Sequence, residues 1–101
     1  MASDKAFVEN FLAGLPETRV YPMMGDYVLY CREKAVGCIC DNRVFLKITP
    51  VSERLLVGAP KEVPYAGAKP RLVVENVADK DFIRELLFAV ADGLPTPKKK
   101  K

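Results

Sequence analysis

The sequence predicts one α+β domain, in which an antiparallel meander sheet of about four to five strands packs against an N-terminal, a middle and a C-terminal helix. Its 101 residues suit a single domain with one core. Half of the residues are apolar and 29% are charged, as in ordinary folded domains. Segments with helical periodicity near both ends enclose short runs of β-branched and aromatic residues, which favours a sheet with flanking helices.

The first helix is predicted from apolar residues at helical spacing. These residues are Phe7, Val8, Phe11, Leu12 and Leu15. Ser3 or Asp4 can cap its start, because both side chains accept a hydrogen bond from the first turn. Gly14 and Pro16 end it.

Two later helices have similar start and stop signals. Thr49 is a capping residue and Pro50 suits the first helical position, whereas Gly58 ends this short helix. Asn76 or Asp79 caps the last helix. Its apolar stripe predicts deep burial and consists of Phe82, Ile83, Leu86, Leu87, Val90 and Leu94.

Four strands are predicted from runs of Val, Ile, Tyr and Phe, at residues 27–32, 35–41, 43–48 and 71–75. Glu33-Lys34 and Asp41-Asn42 are the predicted centres of the two tight turns. Residues 22–25, Pro-Met-Met-Gly, are interpreted as a shaped connector that fills the core, with a methionine-lined contact for a partner as the alternative. Residues 61–71 are interpreted as a loop.

The predicted turns set Tyr30 opposite Gly37 and Val28 opposite Ile39. One face of the sheet then carries Val28, Tyr30, Ile39, Val44, Leu46 and Ile48. The other carries Tyr27, Leu29, Cys31, Val36, Cys38, Cys40 and Phe45. Because both faces are apolar, a further helix or another subunit is expected to cover the second one.

The charge is concentrated at the C-terminus, where Lys98, Lys99, Lys100 and Lys101 supply four of the 16 basic residues. Without them, 12 basic residues face 13 acids. Nucleic-acid binding normally requires a basic face on the fold. The sequence therefore predicts a domain at residues 1–95 that does not bind nucleic acid, followed by a disordered basic tail at 96–101.

The sequence has few residues suited to catalysis or to metal binding. The sequence has no histidine, which excludes catalytic triads and every imidazole metal site. The cysteines at 31, 38 and 40 are too few for a disulfide framework and are interpreted as small buried apolar residues. We predict no catalytic residue, no cofactor and no metal. With no signal peptide and no apolar run of about 18 residues, a cytoplasmic location is predicted and no membrane contact.

Two charged groups leave alternatives open. Three acids within residues 75–81 can cap the last helix or act as general acid and base, and capping is the simpler reading. Arg19, Arg43 and Lys47 border the predicted sheet, where they either hold an anion or are simply solvated.

The segment TRVYPMMGDYVLYCREKAVGCICDNRVFLKI resembles the N-terminal domain of the TfoX/Sxy family of bacterial proteins. Met24 and Gly25 stand at the family's Met/Phe-Gly position, Tyr30 at its strand tyrosine and Asp41 at its acidic turn. The resemblance covers residues 4–95. It implies a secretion-chaperone-like α+β domain of the TfoX N-terminal type that self-associates and takes part in regulation.

Two features depart from the family pattern. Asp26 replaces the second glycine of the motif, and the sequence lacks the second domain of the competence regulators. The leading hypothesis is a non-enzymatic bacterial cytoplasmic protein that acts through protein contacts, as a homodimer or with a protein partner. Its predicted contact residues are Met23, Met24, Tyr27, Leu29, Cys38 and Phe45.

Two alternatives remain. A small-ligand pocket could form between the loop PYAGAKP at residues 64–70 and a lip made of Met23 and Met24. The lysine tail could instead make weak contact with a polyanion.

Overall fold

The computed structural model describes residues 4–23, 26–64 and 66–94. Its helices are α1 (Lys5–Leu12), α2 (Pro50–Leu55) and α3 (Lys80–Asp92), and its strands are β1 (Thr18–Met23), β2 (Asp26–Cys31), β3 (Lys34–Cys40), β4 (Arg43–Leu46), β5 (Lys61–Glu62) and β6 (Arg71–Val74). The strands form one sheet in the order β1-β2-β3-β4-β6-β5, and every neighbouring pair is antiparallel. The predicted α+β fold with a meander sheet and three helices is confirmed.

The two strands that the sequence did not predict lie at the edges of the sheet. β1 ends in Pro22 and Met23, the first two residues of the segment interpreted as a connector, and the two-residue β5 lies in the segment interpreted as a loop. Met24 and Gly25 lie outside the described residues. The N–H of Arg32 donates to the carbonyl of Glu17 at 2.9 Å. Because antiparallel bonding alternates along a strand, this contact places Pro22 among the residues whose backbone faces the open edge. Proline has no N–H to offer there, which is why an edge strand tolerates it.

The predicted helix caps are confirmed for α2 and α3. The Thr49 hydroxyl accepts from the Ser52 N–H at 3.0 Å, while the Ser52 hydroxyl accepts from the Thr49 N–H at 2.8 Å. Asp79 caps α3 by accepting from the N–H of Phe82 at 3.2 Å. Asp4 occupies the N-cap position of α1, but its side chain makes no capping hydrogen bond and instead accepts one from the Asn42 Nδ2 at 3.2 Å. Ser3 lies outside the described residues.

Two lysines from distant positions satisfy carbonyls at the helix C-termini. Lys80 donates to three carbonyls at the end of α1, those of Asn10, Phe11 and Ala13, at 2.6–3.0 Å. The Lys34 ammonium donates to the carbonyls of Ala91 and Leu94 at 2.9 and 3.0 Å. Carbonyls in the last turn have no partner within the helix, and a cation there also complements the helix dipole. The lysines therefore tie α1 to α3 and α3 to β3.

The first turn is displaced from its predicted position. It is centred on Arg32 and Glu33, both at positive φ, so that Cys31 pairs with Lys34. Positive φ in a two-residue turn is usual for Asn, Asp or Gly. Because neither Arg nor Glu is typical of such a turn, this centre is not predictable from local sequence. The second turn, at Asp41-Asn42, is confirmed, and both of its residues have positive φ.

The predicted pairing of β2 with β3 is consequently wrong. Leu29, and not Tyr30, lies opposite Gly37, and Tyr27, and not Val28, lies opposite Ile39. A bulge between Leu29 and Tyr30 shifts the register along this pair. Because side chains alternate between faces, a slip of one residue moves each side chain of β2 to the other face.

The corrected register gives the sheet two distinct faces. The helix face packs with α1 and α3 into the main core, and its residues include Leu29, Cys31, Val36, Ile39, Val44, Leu46 and Val74. The second face carries a smaller buried cluster of Cys38, Cys40, Phe45 and Val73. The second face also carries the basic side chains that form the candidate site.

Candidate functional site

The apolar centre of the second face is buried within a single copy of the chain. Each of the four residues in its cluster is at most 3% exposed. Arg43 of β4 forms a two-pronged ion pair with Glu62 of β5, at 2.8 and 2.9 Å. Since β6 lies between those strands, the ion pair crosses above β6, and the Arg43 guanidinium also lies 5.3 Å from the centre of the Phe45 ring. No second subunit is needed to explain this burial.

The predicted protein-contact residues therefore do not form one surface. Tyr27 and Leu29 belong to the helix face, whereas Cys38 and Phe45 belong to the second face. Leu29 is fully buried, and Cys38 and Phe45 are nearly so. Met23 is half-buried at the end of β1. Met24 lies outside the described residues, as do Lys98, Lys99, Lys100 and Lys101.

The cysteines are split between the two faces. The Cys40 Sγ–H donates to the Cys38 Sγ at 3.7 Å on the second face, while Cys31 lies in the main core. Burial raises the pKa of Cys31 and of Cys38. Burial, with the neighbouring Cys38, raises the pKa of Cys40 to about 12. The thiols therefore stay protonated and unreactive at neutral pH, as expected of small buried apolar residues.

This thiol chemistry makes stability fall in alkaline solution. An unfolded thiol ionises near pH 9, whereas Cys40 in the folded chain ionises near pH 12. The stability that the protonated Cys40 thiol contributes is thus fully present below about pH 9 and is lost as the pH rises toward 12. We expect urea unfolding to give a lower free energy of unfolding at pH 10.5 than at pH 8. The decrease should be smaller in Cys40→Ala, and an equal decrease in both proteins would contradict the assignment.

A basic pocket lies beside this cluster. Its cavity of about 560 Å³ is lined by Lys47, Ile48, Lys69, Pro70 and Arg71. Lys47 follows β4 directly, Arg71 begins β6, and both lie just beyond the Leu46–Leu72 pair of the register. Lys69 comes from the loop before β6. The sheet and this loop therefore bring three cations together, and no carboxylate lines the pocket among the described residues.

The cations of this pocket have no counter-ion among residues 4–23, 26–64 and 66–94. The Arg71 Nη1 is shielded from solvent and has no hydrogen-bond partner. Glu62 is paired with Arg71 across the strands, but its carboxylate binds Arg43 instead. Burial, reinforced by the charge of Arg71, lowers the pKa of Lys47. A guanidinium N–H that is shielded from solvent and has no acceptor is unfavourable, so this pocket favours an anion.

Other basic residues on the sheet already have carboxylate partners. Arg19 binds Glu33 at 2.9 Å, and Arg43 binds Glu62. The alternative in which Arg19, Arg43 and Lys47 hold an anion together is therefore wrong for its first two members. Only Lys47 belongs to the pocket, where Lys69 and Arg71 join it. Sequence reasoning missed those two because the strand order, which places β6 beside β4, cannot be obtained from local patterns.

The predicted ligand pocket is only half present. The end of the PYAGAKP loop lines the basic pocket through Lys69 and Pro70. Met23, however, lies in β1, and the strands β2, β3 and β4 separate β1 from β6. Met23 and the loop thus lie toward opposite edges of the sheet.

Most of the exposed large apolar side chains described lie in one segment, residues 48–63. They are Ile48, Leu55, Val57 and Val63, and Val57 is the most exposed at 84%. Ile48 also lines the basic pocket, so the pocket has an apolar wall. Across the described part of the chain, no three His, Cys, Asp or Glu side chains cluster as metal ligands, and no helix has the length and apolarity to cross a bilayer.

Comparison with known proteins shows one relationship over nearly the full chain. No model of a known protein family matches, so the TfoX/Sxy resemblance stays a prediction, and no solved structure matches. An uncharacterized 12.7 kDa protein in the trpE 5′ region of Spirochaeta aurantia is 38% identical over 101 residues, which span 99% of this chain and 88% of the relative. At this identity and coverage, the chain belongs to the same family as the Spirochaeta aurantia protein.

Proposed function

We propose that this protein is a non-catalytic binding domain that holds a small anionic ligand in the basic pocket of Lys47, Lys69 and Arg71. The observation that carries the proposal is the solvent-shielded Arg71 Nη1, which has no acceptor. A buried charged donor without an acceptor is destabilising by roughly 1–3 kcal/mol or more, and an anion supplies that acceptor.

The partners of the other Lys and Arg side chains support the same site. Among the described basic residues, five form salt bridges with carboxylates and two, Lys34 and Lys80, bind helix carbonyls. Three of the remaining five line this one pocket. Its volume of about 560 Å³ falls within the range typical of small-molecule sites, roughly 300–1,000 Å³.

The proposal includes a reducing cytoplasmic setting, which suits three free, buried thiols. Protein contact, regulation and a homodimer stay predictions from the sequence. The residues expected to form the contact surface are buried or divided between the two faces of the sheet.

Thermal unfolding of the full chain tests the proposed function. The panel contains sodium salts of phosphate, sulfate, acetate, citrate, benzoate and phenyl phosphate at constant ionic strength. A ligand at 100 times its Kd adds about 2.7 kcal/mol, which raises the Tm of a domain this size by roughly 10 °C or more. We expect at least one anion to produce such a shift.

Matched variants assign the shift to the pocket. Lys69→Gln removes an exposed pocket cation, whereas Lys5→Gln removes an exposed cation on α1. The shift should shrink in the first variant and persist in the second. If no anion in the panel raises the Tm, or if both variants respond like the wild type, the proposed function is wrong.

A further inference from the structure

The basic pocket has a charge, a donor arrangement and a size that together select one class of anion. We infer that its ligand is a small phosphate monoester, with the phosphate on Lys47, Lys69 and Arg71 and the organic group against Ile48 and Pro70. This inference rests on the proposed function and adds the chemical class of the ligand.

Charge balance favours a dianion over a carboxylate. Arg71 and Lys47 are close enough that the charge of Arg71 contributes to lowering the pKa of Lys47. Lys69 adds a third positive charge to the lining. A carboxylate brings one negative charge, whereas a phosphate monoester carries about −1.5 to −2 at pH 7. The phosphate therefore neutralises more of the mutual repulsion inside the pocket.

The donors also come from three separate places in the chain. Lys47 lies beyond the end of β4, Lys69 lies in the loop before β6, and Arg71 is the first residue of β6. A monoester offers three terminal oxygens that accept strong hydrogen bonds, one for each donor. A carboxylate has two oxygens in one plane, a shape that fits a single guanidinium better than three cations from separate segments.

The pocket has room for more than a bare inorganic ion. A volume of about 560 Å³ greatly exceeds the roughly 30 Å³ that one water molecule occupies in the liquid. Ile48, which is 37% exposed, and Pro70 form its apolar part. An organic group attached to the phosphate can cover Ile48 and remove its apolar surface from water.

The arrangement fits a small molecule better than a nucleic-acid strand. A polymer needs a track of unpaired cations along its backbone. Beyond the pocket, Arg19 and Arg43 on the sheet are neutralised by Glu33 and Glu62. The described surface of the sheet thus offers one isolated phosphate position.

Isothermal titration of the full chain at constant ionic strength tests this inference with three probes. Phenyl phosphate and benzoate share a ring and differ in the anion, whereas methyl phosphate keeps the anion and lacks the ring. We expect phenyl phosphate to bind at least about tenfold more tightly than benzoate and several-fold more tightly than methyl phosphate. Its affinity should fall between pH 7.5 and 5, because the second ionisation of a phosphate monoester lies near pH 6.

Variants locate this binding. Arg71→Gln and Lys69→Gln should each weaken phenyl phosphate binding about tenfold, since a hydrogen bond between charged groups contributes at least that factor. Lys5→Gln should leave the affinity unchanged. Lys69 is exposed in its loop, so its variant remains informative if Arg71→Gln does not fold.

The outcomes separate the two proposals. Benzoate binding in the pocket as tightly as phenyl phosphate would overturn the phosphate assignment and leave the anion-binding function standing. Equal affinities for phenyl and methyl phosphate would overturn the role of Ile48 and Pro70. Absence of binding by all three probes, together with no response in the thermal panel, would overturn both proposals.

Discussion

Gly37→Ala is expected to destabilise the protein by about 4 kcal/mol or more. An alanine Cβ at this position would lie 1.9 Å from the carbonyl oxygen of Phe45 and 2.9 Å from the Leu46 Cα. Both neighbours are backbone atoms of a central strand, so they cannot yield as a flexible side chain would. Domains of this size have only about 5–15 kcal/mol of stability in total, and urea unfolding measures the loss.

Gly93→Ala is the matched control for this substitution. Gly93 follows α3 with φ −83°, a conformation that alanine adopts readily. Its added Cβ would meet the Val51 Cγ2 at 3.2 Å, where a side chain can move slightly. We expect a change of about 1 kcal/mol or less in this variant. If Gly37→Ala were equally mild, the close approach of β3 to β4 would be refuted.

Leu29→Ala is expected to lower the free energy of unfolding by about 2–5 kcal/mol. Leu29 is fully buried and lies in the main core under α1 and α3. Truncating it removes apolar contacts and leaves a cavity that the surrounding strands and helices fill only in part. The measurement is chemical denaturation monitored by circular dichroism.

The same substitution at Leu55 provides the comparison. Leu55 is 39% exposed on α2, so Leu55→Ala should change the stability by less than about 1 kcal/mol. This pair of variants tests the position of Leu29 directly. A small effect at Leu29, together with loss of self-association, would restore the contact surface predicted from the sequence.

Much of the fold could be predicted because its signals are local. Thr49-Pro50 and Asp79 mark helix starts by hydrogen bonds within one turn, and both caps are present. Asp41-Asn42 marks a hairpin because these residue types tolerate positive φ. The apolar stripe of α3 follows from helical periodicity, and Ile83 and Leu86 are indeed buried.

The faces of β2 could not be predicted, because they depend on one residue of register. Arg32 and Glu33 adopt positive φ without the usual residue types, and a bulge beside Tyr30 shifts the pairing again. Tertiary context alone fixes both features. The register predicted from the sequence therefore places Leu29 and Tyr27 on the wrong face, and the predicted contact surface is wrong with it.

The candidate site required the three-dimensional order of the strands. Lys47 and Arg71 are far apart in the sequence, and the loop between them resembles any other Pro- and Gly-containing loop. They become neighbours because β6 joins the sheet beside β4. Glu62 binds Arg43 and leaves the Arg71 Nη1 without an acceptor. This choice of partner depends on side-chain geometry, which local sequence patterns do not show.

The position of Pro22 affects how copies of this chain meet at high concentration. An exposed strand border normally invites a second molecule to add its own strand, which is the first step toward fibrous aggregates. Here one border has a gap in its row of donors, and the other, β5, spans only two residues. Both features make these borders poorer templates for such growth.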